Sequence, residues 1–240
     1  MADGPDEVRK ICRLLVREGT DLFKLNVSGH AGPTDHRTDR AVMTDAEVGA
    51  AMDVARANGV RVCAHARSAD SVKMCIRHGL GIIYHANFAD EEALDQLEAN
   101  RDWCFVVPAL GLAYQACHAG SEWGFTPERV RERGLLRQLE VSVETMGLMR
   151  KRGIRVLPGG DYGFAWNPHG TYARDLPALR RRARLHAHGD ARRGHAGWAA
   201  RSWAVRTSSA RSSPATSPTS CWSTAIRSPT SSACKTATRS

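Results

Sequence analysis

Short apolar runs alternate with amphipathic segments of helical periodicity through residues 1–176, and this alternation constrains the fold more than any other feature. The runs predict five strands, at 22–28, 60–65, 81–85, 103–107 and 154–157. The segments around them predict helices at 6–19, 44–59, 69–78, 89–100 and 126–153. Strands that alternate with helices favour a parallel sheet with right-handed crossovers, because each helix returns the chain to the same end of the sheet.

Local signals mark where two of these helices begin. Thr44 is followed three residues later by Glu47, which is a capping-box pattern. Thr126 precedes Pro127, a residue favoured at the first helical position. The helix that starts there is predicted to run without interruption to Gly153, with one apolar stripe formed by Leu135, Leu139, Val143, Met146 and Met149.

Polar residues of a chemically useful kind lie within or directly after four of the predicted strands. They are Lys24, His65, His85 and Asp161. In parallel α/β folds the carboxyl ends of the strands form one edge, where active sites lie. The chain contains neither GxGxxG nor GxxxxGK[ST], so a (β/α) barrel is favoured over a doubly wound nucleotide-binding sheet. One amine, two imidazoles and one carboxylate at a common edge predict a metal site.

Each of these residues also has an ordinary structural interpretation. A single histidine after a strand is most often a hydrogen-bonded structural residue. Two histidines on successive strands, with a lysine before and Gly160-Asp161 after, favour metal binding. Lys24 stands among apolar neighbours, and an unpaired buried ammonium is costly, so a role on the protein surface is not expected for it.

The positive charge is confined to the last quarter of the sequence. Residues 177–240 carry 12 Lys and Arg against one acid, Asp190, whereas residues 1–176 carry 22 Lys and Arg against 24 Asp and Glu. The tail is also poor in large aliphatic residues, so it is predicted to be a low-complexity, disordered basic segment. A nucleic-acid-contacting tail on a binding protein is the alternative that this charge leaves open.

The cysteines and the hydropathy indicate a cytoplasmic protein. The seven cysteines form no CxxC pair, which is typical of buried thiols in a reducing compartment. No basic segment followed by an apolar stretch occurs at the start, and no run of 18 apolar residues occurs anywhere, so neither secretion nor membrane spanning is expected.

Taken together, the motifs resemble the amidohydrolase superfamily, in the branch of imidazolonepropionase-like and Xaa-Pro dipeptidase-like enzymes. The resemblance covers about residues 1–176 and rests on the order and spacing of short motifs. These are Lys24 with Ser28-Gly29, Ala64-His65-Ala66, Tyr84-His85-Ala86, Gly160-Asp161, and Pro168-His169-Gly170 with the six residues that follow. The resemblance implies a TIM-type barrel, of which this chain supplies about strands 4–8.

The resemblance also implies roles for particular residues. Lys24, His65, His85 and Asp161 would bind one or two divalent ions, with zinc the expected metal, and Lys24 would be carbamylated in a binuclear centre. Asp161 would in addition be the catalytic general base for water attack on a C–N bond of an amide, cyclic amide or dipeptide. The expected substrate contacts are His169, Arg67, Tyr84 and Tyr162. The expected binding partner is a small amide or peptide-like substrate. Binding to a membrane is not expected, and binding to nucleic acid is not favoured. Assembly into a homo-oligomer is left open.

The chain departs from the family pattern at both ends. A His-x-His pair is expected before Lys24, but the only such pair is His186-Ala187-His188, in the tail. We therefore expect a fragment with impaired activity, or a non-catalytic remnant of a barrel. Codons can be chosen for residues 206–227 and 177–192 that, translated in another reading frame, give sequences similar to amidohydrolases. We therefore hypothesise that the tail arises from two frameshifts, one near residue 176 and one near residues 190–195.

Overall fold

The computed structural model describes residues 2–29 and 38–172, and these form alternating helices and parallel strands. The strands are β1 (Leu22–Asn26), β2 (Arg61–Ser68), β3 (Ile82–Phe88) and β4 (Phe105–Val107). The helices are α1 (Gly4–Arg17), α2 (Asp45–Asn58), α3 (Ala69–His78), α4 (Glu91–Ala99), α5 (Leu110–Ala119), α6 (Pro127–Glu132) and α7 (Leu135–Lys151). The predicted tail, 177–240, lies outside the described residues, as does its His186-Ala187-His188 pair.

Side-chain caps and left-handed residues fix the helix ends. The predicted capping box is confirmed, since the Thr44 side chain accepts from the Glu47 backbone N–H while the Glu47 side chain accepts from the Thr44 backbone. The side chains of Ser68, Asp90 and Thr126 accept from the first turns of α3, α4 and α6 in the same manner. Boundaries of this kind place the carboxyl ends of β2 and β3 against well-defined helix starts.

The four strands are all parallel and lie in the order β1-β2-β3-β4. An order that follows the chain without reversal is that of a TIM-type barrel, whereas a doubly wound sheet reverses at its switch point. The register aligns Asn26 with His65 and His65 with Tyr84. The predicted α/β class and parallel sheet are therefore confirmed, and together they fit part of a TIM-type fold.

One face of the sheet is packed against the helices and the other is more open. Along β1, Phe23 and Leu25 are buried, whereas the intervening Lys24 and the following Asn26 are exposed. The core between sheet and helices includes fully buried Val48 of α2, Val72 of α3 and Leu94 of α4. The open face is therefore the one that can present side chains to a ligand.

Three sequence predictions of secondary structure need correction. The continuous helix over 126–153 is wrong, because Gly134 has a φ of 60° and separates α6 from α7. The fifth strand, 154–157, is reduced to a single parallel bridge between Val106 and Val156. Helix α5 was not predicted, because its apolar residues surround the helix and form no one-sided stripe.

Every helix in the described part of the chain is too short or too polar to traverse a lipid bilayer.

Candidate functional site

Lys24 lies on the open face of the sheet, next to β2 and β3. It is aligned with Cys63 of β2, and its Nζ lies 5.0 Å from the centre of the Tyr84 ring. Tyr84 in turn lies near the Cys63 thiol, which contributes to raising the pKa of the tyrosine after burial. The expectation that Lys24 is buried is wrong: its side chain is exposed, and an aromatic face supports its charge.

His65 is buried at the middle of β2 and its ring is tied to the loop after β1. Its Nε2 lies 3.0 Å from the backbone oxygen of Gly29. A carbonyl oxygen can only accept, so Nε2 carries the proton in this contact. A neutral His65 ring in this tautomer has its lone pair on Nδ1, the arrangement that a metal-binding imidazole needs.

A distortion of β3 brings His85 beside His65. His85 and Ala86 have φ angles of 77° and 50°, a left-handed conformation that residues other than glycine seldom adopt. The register between β2 and β3 shifts at the same level, which is the mark of a β-bulge. The result is an edge-on contact between the two imidazoles, whose ring centres are 4.5 Å apart.

The surroundings of His85 favour its neutral form. Burial holds the pKa of His85 well below its ordinary value, and the nearby charges of Arg67, His65 and Lys24 lower it further. The backbone of Pro108 opposes this shift only weakly. His85 is therefore an uncharged imidazole, the form whose ring nitrogen can bind a metal.

Asp161 lies in the loop that follows the fifth apolar run and is held in a left-handed conformation, with a φ of 55°. The buried Asn167 side chain donates from Nδ2 to the Gly160 oxygen at 2.7 Å and to the Asp161 oxygen at 3.2 Å. The carboxylate lies near enough to influence two residues on the strands. Its charge contributes to raising the pKa of Tyr84, after burial and Cys63, and it opposes the lowered pKa of Arg67.

Arg67 brings a partly buried cation to the same region. Burial lowers the pKa of its guanidinium to about 10, and Asp161 offsets part of this effect. Its Nη1 donates to the Asn87 side chain over a long 3.4 Å, while its Nε is buried and has no hydrogen-bond partner among the described residues. The site thus contains an N–H group that a substrate oxygen reaching this side chain would satisfy.

A small cavity of about 80 Å³ adjoins His85 and Arg67. Its polar side is formed by these two residues with Asn87, Gln138 and Ser142. Its apolar side comes from Leu110, Leu112, Phe125, Leu135 and Trp166. Cavities that combine apolar walls with a few polar groups are typical of small-molecule sites.

The structure brings some of the predicted site residues together and leaves others apart. Lys24, Tyr84, His65, His85 and Arg67 lie together on the sheet, and the charge of Asp161 reaches this group. His169 and Tyr162 belong to an aromatic cluster with Tyr172 in the loop after Asp161. The Tyr172 hydroxyl lies 3.2 Å from His169 Nδ1, and the Tyr162 hydroxyl donates to the Tyr172 backbone oxygen at 3.0 Å.

The fit of a divalent ion to this arrangement can be judged from the donors. Two imidazoles lie side by side, with Nε2 of His65 at a backbone carbonyl and His85 held neutral by burial, and this pair fits a borderline ion such as Zn²⁺. Among residues 2–29 and 38–172, no group of three or more His, Cys, Asp or Glu lies close enough to hold an ion. The histidine pair therefore fits a metal, whereas Asp161 is not gathered into a cluster with it.

Three polar residues near His85 were not predicted from the sequence. Asn87 is part of the bulge, and Ser142 and Thr145 of α7 bind it from the helix side. In the sequence both hydroxyl residues stand beside the apolar stripe of α7, where Ser and Thr normally signal a solvent-exposed position. Their burial depends on the contact of α7 with β3, which no local pattern reveals.

Comparison with known proteins was made for sequence and for fold. No family model matches the chain. Ochratoxinase from Aspergillus niger is 28% identical over 98 residues, which is 41% of this chain and 20% of the relative. The chain therefore spans about a fifth of the length of the curated relatives that it matches.

Solved structures give the same picture for a larger part of the chain. A prolidase in complex with N-methylphosphonate-L-proline is similar with a TM-score of 0.68 and 23% identity, over 79% of this chain and 45% of that one. A Xaa-Pro dipeptidase with methionine in its active site gives 0.64 and 24% over the same shares, 79% and 45%. The A. niger ochratoxinase gives 0.65 and 21%, over 79% and 41%. At these identities the likeness establishes a shared fold.

The motifs, the sequence relative and the shared fold agree. The resemblance of this chain to the amidohydrolase superfamily, over part of the length of its members, is thereby confirmed.

Proposed function

We propose that this chain carries part of an active site that hydrolyses a C–N bond of a small amide, cyclic amide or dipeptide with the help of a divalent ion, zinc being the expected metal. The observation that carries the proposal is the pair of imidazoles at neighbouring strands, 4.5 Å apart and next to a cavity. The similar proteins, among them a prolidase, a Xaa-Pro dipeptidase and an ochratoxinase, support an amide or peptide substrate.

His65 and His85 are the residues that would hold the ion, since their rings are in contact on neighbouring strands and the ring of His65 directs its Nε2–H to the Gly29 carbonyl. Lys24, carbamylated in a binuclear centre, and Asp161 would complete the set. When bound, such an ion supplies an acidified water and a polarised carbonyl. The neutral state of His85 supports this assignment, because a protonated imidazole has no lone pair to offer.

The remaining chemistry belongs to residues of the chain itself. Asp161 is proposed as the general base that takes a proton from water and passes it to the departing nitrogen. Arg67 is proposed to donate to an oxygen of the substrate, because its Nε is buried without a partner among the described residues. Tyr84 lies between Lys24 and His85 and would border the same substrate group.

His169 and Tyr162 are proposed to act from the rim of the site. His169 is exposed and hydrogen-bonded to the Tyr172 hydroxyl, so its loop can contact the outer part of a substrate.

A reducing compartment such as the cytoplasm fits the described cysteines, none of which forms a disulfide.

A non-catalytic barrel remnant is the second candidate. The observation in its favour is that no three-donor cluster is assembled in the described part of the chain. A remnant would keep the fold and the cavity and would show neither tight metal binding nor turnover.

Metal analysis combined with an assay of amide hydrolysis distinguishes the two. The full chain would be dialysed against Zn²⁺ and then against buffer, and tested on a panel of N-acyl amino acids, dipeptides and lactams. We expect retained zinc and measurable hydrolysis, with both lost in a His65→Ala/His85→Ala variant. Asp161→Asn should lower kcat by about a hundredfold or more, while His65 and His85 still hold zinc, with a lower affinity than in the wild type. Asp102→Asn, which removes an exposed carboxylate, is the matched control.

Loss of zinc on dialysis together with no hydrolysis of any substrate would favour the remnant. Equal hydrolysis by the wild type and by the double histidine variant would exclude this site as its source.

A further inference from the structure

The β-bulge that carries His85 is a strained element. Two successive residues, His85 and Ala86, are left-handed although neither is glycine. Such a conformation persists only where the surrounding contacts over-determine it. The contacts that hold this segment should therefore be identifiable, and they should matter for where the His85 ring lies.

Helix α7 supplies two of those contacts through hydroxyl groups. Thr145 donates from Oγ1 to the backbone oxygen of Asn87, at 2.9 Å, in the interior of the protein. Ser142 accepts a hydrogen bond from the Asn87 amide and donates to the backbone oxygen of Gln138 at 2.6 Å. Asn87 belongs to the bulge, because Ala86 and Asn87 together lie opposite the single residue Arg67 of β2. Its side-chain amide and its backbone oxygen are both bonded to α7, so the bulge is held from the helix.

Asn87, Ser142 and Thr145 are buried, so the loss of one of their hydrogen bonds would leave a polar group without a partner away from water. Asn87 is 4% exposed, Ser142 1% and Thr145 6%. Their neighbours on this side of α7 are apolar, among them Leu139, Met146 and Met149. An interface that served packing alone would be apolar at positions 142 and 145 as well, because each hydroxyl must be matched by a partner once it is buried.

The same network reaches the cavity. Asn87 Oδ1 accepts from Arg67 Nη1 at 3.4 Å, and Asn87, Ser142, Arg67 and His85 all line the cavity wall. One asparagine therefore joins the helix, the bulge and the cation of the site.

We propose that Ser142 and Thr145 are positioning residues: through Asn87 they hold the left-handed His85–Ala86 segment, and with it the imidazole of His85, in the geometry of the site. The chemical value of that geometry rests on the proposed function, whereas the positioning itself is a statement about His85 that can be measured without turnover.

The test uses Thr145→Val, which keeps the shape of the side chain and removes its hydroxyl, and Ser142→Ala. Thr145→Ser restores the hydroxyl and should behave as the wild type. Met146→Leu changes a fully buried neighbour on the same helix without touching the network, so it controls for a general loss of stability. All variants would be made in the full 240-residue chain.

Two readouts separate positioning from stability. The first is the side-chain ¹⁵N and ¹H resonances of His85 at fixed pH, and the second is the affinity for Co²⁺ followed by its visible absorption. We expect Thr145→Val and Ser142→Ala each to shift the His85 resonances and to weaken Co²⁺ binding by about tenfold, the lower end of the range for groups that orient a ligand. Met146→Leu should change neither readout, even where its unfolding temperature falls equally.

Unchanged His85 resonances in both hydroxyl variants would overturn the proposal, as would equal shifts in Met146→Leu. If the wild type binds no Co²⁺, the proposed function fails, and the resonances alone still decide the positioning. If Thr145→Val does not fold, Ser142→Ala, which removes a single oxygen atom, carries the test.

Discussion

At the scale of single residues, protonation of His85 couples the site to the stability of the fold. The folded protein holds the pKa of His85 well below its ordinary value, chiefly by burial. In the unfolded chain the ring takes up a proton below about pH 6.5, so the unfolded state binds more protons there. Stability contributed by the neutral ring is thus complete above that pH and is lost as the pH falls. The expected slope is at most about 1.4 kcal/mol per pH unit.

Urea unfolding of the wild type and of His85→Gln between pH 5 and 7.5 measures this effect. The free energy of unfolding should fall less steeply towards pH 5 in His85→Gln than in the wild type. Met146→Leu, which changes a buried side chain that does not titrate, should keep the slope of the wild type. Parallel curves for the wild type and His85→Gln would show that His85 does not titrate with unfolding.

A second prediction concerns Gly159, whose backbone lies close to the Val107 side chain at the end of β4. A Cβ added at Gly159 would lie 2.3 Å from Cγ1 of the buried Val107, a stiff side chain at the end of β4. Gly159→Ala should therefore lower the free energy of unfolding by about 1–3 kcal/mol. Gly147→Ala is the matched control, because nothing lies within 4 Å of its added Cβ and it stands inside α7. This control should raise stability by about 0.5–1 kcal/mol, and both are measured by urea unfolding.

Sequence reasoning selected residues for the site by their place at strand ends, and parallel register explains why that works. Residues at corresponding depths of neighbouring strands, such as Asn26 and His65, are brought side by side. The reasoning fails where the backbone departs from the regular pleat. The left-handed residues of the bulge, His85 and Ala86, are not glycines, so the amino-acid sequence gives no sign of their positive φ angles.

At the scale of secondary structure, the start of α2 depends on its capping box. The Thr44 hydroxyl accepts from Glu47 N at 3.3 Å, and the Glu47 carboxylate also accepts from Gly4 N at 3.0 Å, which links α2 to the start of α1. Thr44→Ala should lower the free energy of unfolding by about 1 kcal/mol. Thr44→Ser keeps the hydroxyl and should recover most of that loss in the same urea titration. A full loss in Thr44→Ser would point to the methyl group instead.

Helix predictions succeeded where a cap and a glycine bracket a one-sided apolar pattern, as for α2 and α3 with their left-handed ends at Gly59 and Gly79. They failed at Gly134, because a glycine inside a periodic segment is compatible either with a continuous helix or with a break. The structure has the break, with Arg133 ending α6 and the left-handed Gly134 preceding α7.

At the scale of the whole molecule, metal binding and folding should be linked. An ion held by His65 and His85 joins β2 to β3 and binds only the folded chain with full affinity. Excess Zn²⁺ at about a hundred times its dissociation constant should raise the free energy of unfolding by about 2.7 kcal/mol. Thermal unfolding with and without Zn²⁺ measures this gain. The His65→Ala/His85→Ala variant should show no gain; a gain equal to that of the wild type would place the ion elsewhere.

The overall architecture was predictable because alternating strands and helices admit few arrangements, and the observed order β1-β2-β3-β4 is one of them. The cavity was not predictable in the same way. Its walls combine α5, the start of α7 and Trp166, which are far apart in the sequence and meet only in three dimensions.

The contact between the Lys24 ammonium and the Tyr84 ring, 5.0 Å from centre to charge, limits what this lysine can become. The electron-rich face of the ring attracts a cation and repels an anion. Carbamylation by carbon dioxide would replace the positive ammonium of Lys24 by a negative carbamate. The side chain would then lose its cation–π contact with the Tyr84 ring. We expect the two chemical forms of Lys24 to occupy two different rotamers, with the aromatic ring opposing the reaction until a second cation offsets it.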